Sequence, residues 1–227
     1  MGIMATSTLP PTVPTLHALA EHVLGAGLHA ATGRIGLQVV PGGFGTPDHA
    51  VDALGGVWSV TDGQLQISGA DGAIRTEPIT TVRAAGTFFG VTPGMPESVY
   101  AAATPLDLDR PLPVDAAVAR RVAEWLELGS QALTILAERH AEAAPSGQTL
   151  WPEHFDLGLA MAEVNYGVSP GDEPHPEPYL YVGPWTARAG SFWNEPFGAS
   201  LAASAVGSVT DAVTFFERGL ALAAAPA

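Results

Sequence analysis

Between Val57 and Ser68 the chain reads Val-Trp-Ser-Val-Thr, Asp-Gly, Gln-Leu-Gln-Ile-Ser. Two alternating apolar and polar runs joined by Asp62-Gly63 leave few folding options. The dipeptide tolerates positive φ at both positions, as a two-residue type I′ turn requires, so the loop sets the pairing. Val60 must then face Leu65 and Trp58 must face Ile67, with Ser59, Thr61, Gln64 and Gln66 on the opposite side. A second Asp-Gly, at Asp71-Gly72, predicts a third antiparallel strand through about Thr76. One face belongs to a core and the other to water, so this meander reads as scaffold and not as a site.

Helical periodicity appears in three places. Leu16, Leu19, Ala20, Val23, Leu24 and Leu28 predict an amphipathic helix over 15–31, which Gly33 ends. Val118, Val122, Trp125, Leu126, Leu133 and Leu136 stripe a long helix, about 115–142. His140 lies on that stripe in the last turn, where an imidazole near a helix C-terminus has a structural explanation. Ser208 with Asp211 three residues on is a capping-box variant that opens a third helix over 209–224. Between the first two helices, residues 34–40 read as a strand closed by a turn at Pro41-Gly42-Gly43-Phe44-Gly45. Those glycines invite a phosphate-loop reading, but no lysine follows and a proline stands where a helix should start. The order helix, strands, helix, strands, helix predicts an α+β fold of antiparallel sheets and hairpins with three main helices. A flexible Thr- and Pro-rich tail is expected over residues 1–14. The remainder, 15–227, reads as one domain, in two similar halves (15–91 and 114–227) joined by a Pro-rich linker, although the internal repeat is too weak in the sequence to build on.

Composition removes whole mechanisms. Cysteine is absent and all nine basic residues are arginine. That excludes a thiolate nucleophile, a disulfide framework, Cys-ligated zinc, a Schiff-base lysine and a P-loop lysine. A formal net charge of −14 at pH 7 argues against nucleic acid, whose binders need clustered basic side chains. No uncharged apolar run reaches the roughly 18 residues that suggest a membrane span. Met1–Pro14 lacks the basic start and apolar core of an export signal, so a cytoplasmic address is expected. The missing lysine matches a GC-rich bacterial genome.

Unusual residues collect in one stretch. Residues 151–195 hold three of the five Trp, three of the four Tyr and both Asn, with seven carboxyl groups against a single arginine, Arg188. Three blocks stand out: Trp151-Pro-Glu-His154-Phe-Asp156, Ser169-Pro-Gly-Asp172, and Glu177-Pro-Tyr179-Leu-Tyr181-Val-Gly-Pro-Trp185. In that order they resemble a bacterial family, well represented in actinobacteria, known only as a domain of unknown function. The resemblance covers about 151–185 and implies no activity.

The residues themselves say more. Trp151 to Met161 has strand character, with Phe155, Leu157, Leu159 and Met161 on one side. His154 and Asp156 then share the other side, about 6.5–7 Å apart. Tyr179 and Tyr181 stand in the same relation on a strand at 179–183. If the two strands pair, an imidazole, a carboxyl and two phenols converge, which is what an acid–base pair or polar pocket needs. His154 and Asp156 are therefore the candidate catalytic pair. Trp151, Asn165, Tyr179, Tyr181, Trp185, Trp193 and Asn194 are the candidate ligand-binding residues, the indoles offering surfaces on which a planar or sugar-like molecule stacks. The expected partner is a small molecule, and no cofactor is specified.

Competing readings stay open. His154, Asp156, Glu163, His175 and Glu177 include a His₂-carboxylate set, yet their spacing matches no compact metal motif, and no metal site is assigned. His17-Ala-Leu-Ala-Glu21-His22 is one residue too long for the inverted zincin pattern, and a helical polar face explains it more plainly. No G-x-S-x-G elbow marks a serine hydrolase. The main alternative is a non-catalytic structural protein that forms a homo-oligomer through its aromatic surface. A second is a metal-dependent or His/Asp acid–base enzyme such as a hydrolase.

Overall fold

In the computed structural model, which describes residues 9–225, the chain first coils into Thr12–Leu19 (α1), loosens into a π-helical Ala20–Gly25, and tightens again over Ala26–Thr32 (α2). There follow β1 (Gln38–Val40), β2 (Gly43–Gly45), α3 (Val51–Leu54), β3 (Val57–Thr61), β4 (Gln64–Ser68), β5 (Ile74–Pro78) and α4 (Val82–Phe89). After an irregular stretch come α5 (Ala116–Arg139), β6 (Thr149–Trp151), β7 (Asp156–Met161) and β8 (Val164–Ser169). The chain finishes with β9 (Tyr179–Pro184), β10 (Ala199–Ala202) and α6 (Val209–Ala224). The fold is α+β, with two antiparallel five-stranded sheets ordered β1-β2-β3-β4-β5 and β10-β9-β8-β7-β6.

The hairpin has the expected register, Val60 opposite Leu65 and Trp58 opposite Ile67. Asp62 and Gly63 both take positive φ, 51° and 72°, as the tight turn demands. The long helix ends at Arg139, with His140 as its C-cap. The closing helix begins where Ser208 accepts the Asp211 backbone N–H.

Three expectations need correction. First, two short helices, α3 and α4, join the three anticipated. Each has eight residues or fewer, too short for a periodic stripe to stand out, although the Thr81 side chain caps α4 by accepting from Ala84 N. Second, the glycine cluster is not all turn. Gly43 and Gly45 belong to β2, where a Cβ on Gly45 would lie 2.5 Å from the Trp58 carbonyl oxygen, so glycine permits the close approach. Third, helix and burial begin inside the stretch expected to be a flexible tail. Residues 1–8 lie outside the described residues, but Thr12 and Val13 are already helical and buried.

The two halves share one plan. Strand pairing lines up Val39, Phe44, Val60 and Leu65 across the first sheet, and Leu150, Leu157, Val168 and Leu180 across the second, in the same register. Each sheet is followed by a capped helix with the pattern Ser/Thr-Val-x-x-Ala-x-Thr-Phe-Phe, at Thr81–Phe89 and Ser208–Phe216. In both helices the Thr hydroxyl bonds back four residues, Thr87 to Arg83 O (3.0 Å) and Thr214 to Thr210 O (2.8 Å). In both, the alanine is fully buried.

An antiparallel bridge between Leu37 and Leu150 joins the sheets at their inner edges. Helix α5 lies across the apolar sides of both, burying Leu126, Leu133 and Leu136 completely, so one apolar core runs through both halves. Each such leucine contributes about 1.5–3 kcal/mol from removal of apolar surface. The Trp125 indole donates to Ser169 O (2.9 Å) and ties this helix to β8. Among the described residues no helix is long and apolar enough to cross a membrane.

Candidate functional site

Period-two alternation decides which side chains leave the core. In the second sheet Leu157, Leu159, Val164, Tyr166, Val168, Leu180 and Val182 point inward and are buried. Their neighbours Asp156, Gly158, Asn165, Ser169, Tyr179 and Tyr181 take the opposite face, where two hollows of about 550 and 610 Å³ meet. Both are lined by Glu153, His154, Asp156, Asn165 and Tyr181. Volumes of this size accommodate small organic molecules.

The expected direct pairing of the His154–Asp156 strand with the tyrosine strand does not occur, because β8 lies between β7 and β9. The convergence happens by another route. Gly158 of β7 pairs with Gly167 of β8, and Gly167 pairs with Tyr181 of β9. These glycines leave a floor without side chains, across which the Tyr181 ring reaches. A Cβ on Gly167 would come within 2.5 Å of the phenol oxygen, and one on Gly158 within 2.8 Å. The Tyr181 hydroxyl thereby crosses the intervening strand and donates to Asp156 Oδ2.

His154 also departs from its expected place. It belongs to the turn between β6 and β7, closed by the Phe155 N–H donating to Trp151 O (2.7 Å), with Phe155 at φ 52°. Phe155 is buried, stacked against the imidazole of His17 at 5.6 Å between ring centres. His17 Nε2–H donates to the Pro152 carbonyl (3.0 Å), so the first helix holds this turn in place. His154 itself is exposed at the mouth of both hollows.

Asp156 is the unusual group. It is 9% exposed, one oxygen is bonded to Tyr181, and Oδ1 has no hydrogen-bond partner. Burial pushes its carboxyl up from 3.8 to about 6, against the opposing effects of the Tyr181 hydrogen bond and nearby His154. Burial, followed by the charge of Asp156, raises the Tyr181 phenol well above its ordinary value. Burial lowers the imidazole of His17, with Glu21 opposing.

A second polar chain borders the larger hollow. Tyr179 donates to Asp172 Oδ2 (2.8 Å), and Asp172 Oδ1 accepts from His175 N (2.7 Å). The His175 ring lies 3.1 Å from Glu195 Oε1, to which Ser200 also donates (2.8 Å). This network clamps the Pro-rich loop 170–178 over the sheet, and burial with the Asp172 bond raises the Tyr179 phenol. Exposed aromatics form the rim. Trp185, 65% exposed, donates from Nε1 to Asn165 Oδ1 (3.1 Å), while Phe197 and Trp151 are also solvent-facing.

Of the residues singled out from sequence, His154, Asp156, Trp151, Asn165, Tyr179, Tyr181 and Trp185 line the hollows. Trp193 and Asn194 line neither: Trp193 packs edge-to-face on Phe192, and Asn194 clamps the Ser200 backbone in both directions. The candidate metal set is dispersed. Glu163 is exposed in the β7–β8 turn, Glu177 accepts from Ser204 N, and His175 pairs with Glu195. Among the described residues no three His, Asp or Glu side chains form a metal-holding group. Nor do Glu21 and His22 form a solvated helix face. Both are fully buried, and Glu21 accepts from Ala103 N (2.9 Å), Thr104 N (2.8 Å) and Thr104 Oγ1 (2.6 Å). The π-helical turn frees the His22 carbonyl to accept from Gly94 N (2.8 Å), so this segment fastens the irregular 92–113 stretch.

Sequence reasoning missed Gly158, Gly167, Glu153, His17 and Asp172. Glu153 and Asp172 stood inside the blocks singled out and His17 in the first-helix pattern, each without a site role, while the glycines left a trace only as two small residues at outward positions of adjacent strands. No family model, curated protein or solved structure matches the chain.

Proposed function

We propose that the hollow on the outer face of the second sheet binds a small molecule, with Asp156 as its central polar contact. The observation that carries this reading is a buried carboxyl with one oxygen fixed by Tyr181 and the other unpartnered, where both hollows meet. Leaving a buried acceptor unpaired costs about 1–3 kcal/mol, and such strain is a recurrent feature of ligand sites.

The first half supports it as an internal control. Its matching positions for Asp156, Tyr179 and Tyr181 are Gly43, Gln64 and Gln66, by strand register. A five-stranded sheet of the same plan therefore forms without a carboxyl or a phenol there, so the fold does not demand them. A second reading, acid–base catalysis by Asp156 with His154, is favoured by the carboxyl's displacement to about 6, near the optimum for proton transfer at neutral pH. The setting we propose is a soluble, cytoplasmic, bacterial protein, in keeping with the cysteine-free composition.

A thermal-shift screen of amines, sugars and nucleobases tests the binding reading, repeated on His154→Ala and Asp156→Asn. Hits that vanish in Asp156→Asn, while its circular dichroism spectrum is retained, support it. Hits that survive both substitutions contradict it, as does loss of folding in each.

A further inference from the structure

Resting on that reading, we infer that the ligand is an organic cation: an ammonium or amidinium group, carried on a flat apolar body, that pairs with the buried Asp156 carboxylate. Two features of the hollow argue for positive charge. Its linings include the carboxyl groups of Glu153, Asp156 and Asp172, and no arginine, although the chain has nine. Asp156 Oδ1 is at least nine-tenths buried with its residue and has no donor of its own. An ionised carboxyl only accepts hydrogen bonds, so the missing partner must donate, and a charged donor forms the stronger bond.

The rim argues for the flat body. Trp151, Trp185 and Phe197 expose large apolar surface at 40%, 65% and 42%. Asn165 holds the indole of Trp185 at its ring nitrogen, while most of the side chain stays in solvent. Aromatic faces attract cations through the ring quadrupole and stack on planar groups. A carboxylate or phosphate ligand would meet three acidic groups and no arginine. A neutral alcohol could bond Oδ1 but would bring no charge of its own to balance the carboxylate.

Three probes of one shape separate the possibilities: phenethylamine, 2-phenylethanol and phenylacetate, titrated by calorimetry and by tryptophan fluorescence. Phenethylamine should bind at least about tenfold more tightly than the alcohol, with phenylacetate weakest. Asp156→Asn should weaken the amine by about 10–100-fold while leaving the alcohol little changed. The proton balance gives an independent readout. Because the free carboxyl titrates near 6, an amine that holds it ionised should release about half a proton at pH 6. Measured in two buffers of different ionisation enthalpy, that release should disappear in Asp156→Asn. His17, Glu153, His154, Asp172, Tyr179 and Tyr181 also face the hollow, and a release that persists in the variant assigns it to them and overturns the pairing. Tighter binding of the alcohol or phenylacetate, lost in Asp156→Asn, overturns the cation while keeping the site. Absence of binding by all three probes overturns the cation assignment, and indifference of every probe to Asp156→Asn overturns both proposals.

Discussion

Replacing Asp156 by Asn should stabilise this protein at neutral pH. The side chain keeps its shape, and its amide oxygen can still accept from Tyr181, but the buried negative charge is removed. The magnitude follows from the carboxyl's displacement from 3.8 to about 6. At 1.36 kcal/mol per pH unit, the folded state opposes ionisation by about 3 kcal/mol. Asp156 is only 9% exposed, so little of this is screened by water. Because the folded-state value is the higher one, the contribution of the protonated acid is fully present below about pH 4. It is lost as pH rises through about 6. Above pH 7 the native protein carries the whole penalty and Asp156→Asn carries none. Urea denaturation of both proteins between pH 4 and 8 measures the difference directly. The variant should be more stable by up to about 3 kcal/mol at pH 7.5, and the two curves should converge toward pH 4. A variant less stable at pH 7.5, or a gap that does not change with pH, would refute the argument. Stabilisation on removal of a group is the mark of a site held for use at a cost to the fold.

Other positions test the supporting structure. Gly167→Ala places a methyl group against both the Leu157 carbonyl and the Tyr181 ring, so it should destabilise by more than about 2 kcal/mol in urea denaturation. Gly158→Ala meets chiefly the movable Tyr181 hydroxyl at 2.8 Å, so the fold should survive with a smaller loss. With its hydrogen bond from Tyr181 gone, the Asp156 carboxyl should rise above 6, as read by carboxyl-carbon NMR titration. Glu21→Ala removes the acceptor for three donors of residues 103 and 104 and should cost about 3–5 kcal/mol. Hydrogen exchange should quicken at those amides, and an unchanged exchange pattern would count against Glu21 as the fastener of this stretch.

The parts of the fold legible in the sequence are those in which neighbours along the chain do the deciding. Asp62-Gly63 set a register that the tertiary structure left unchanged, since a two-residue turn admits one pairing. Ser208 placed the start of the last helix through a bond only three residues long. The site was legible in its residues but not in its assembly. Asp156 and Tyr181 meet, yet across an intervening strand and over two glycines, not as partners in one hairpin. Alternation along a strand reports which face a side chain takes, and says nothing about strand order. Trp193 and Asn194 share the composition of the site and none of its place, because the loop that carries them is pinned to β10.

By itself, then, the amino-acid order determined the α+β class, the hairpin, the main helices, the chemistries closed to a chain without Cys or Lys, and the stretch in which polar and aromatic groups crowd. Tertiary structure alone decided that the two halves repeat one strand plan in the same register and that, of the matching positions, only the second half's carry the carboxyl–phenol pair. It also decided that Asp156 loses its water and Glu21 its freedom. The reason is physical: local signals act through backbone torsions and bonds spanning a few residues. Desolvation, by contrast, depends on which distant segments close over a group, and that is set only when the whole core packs.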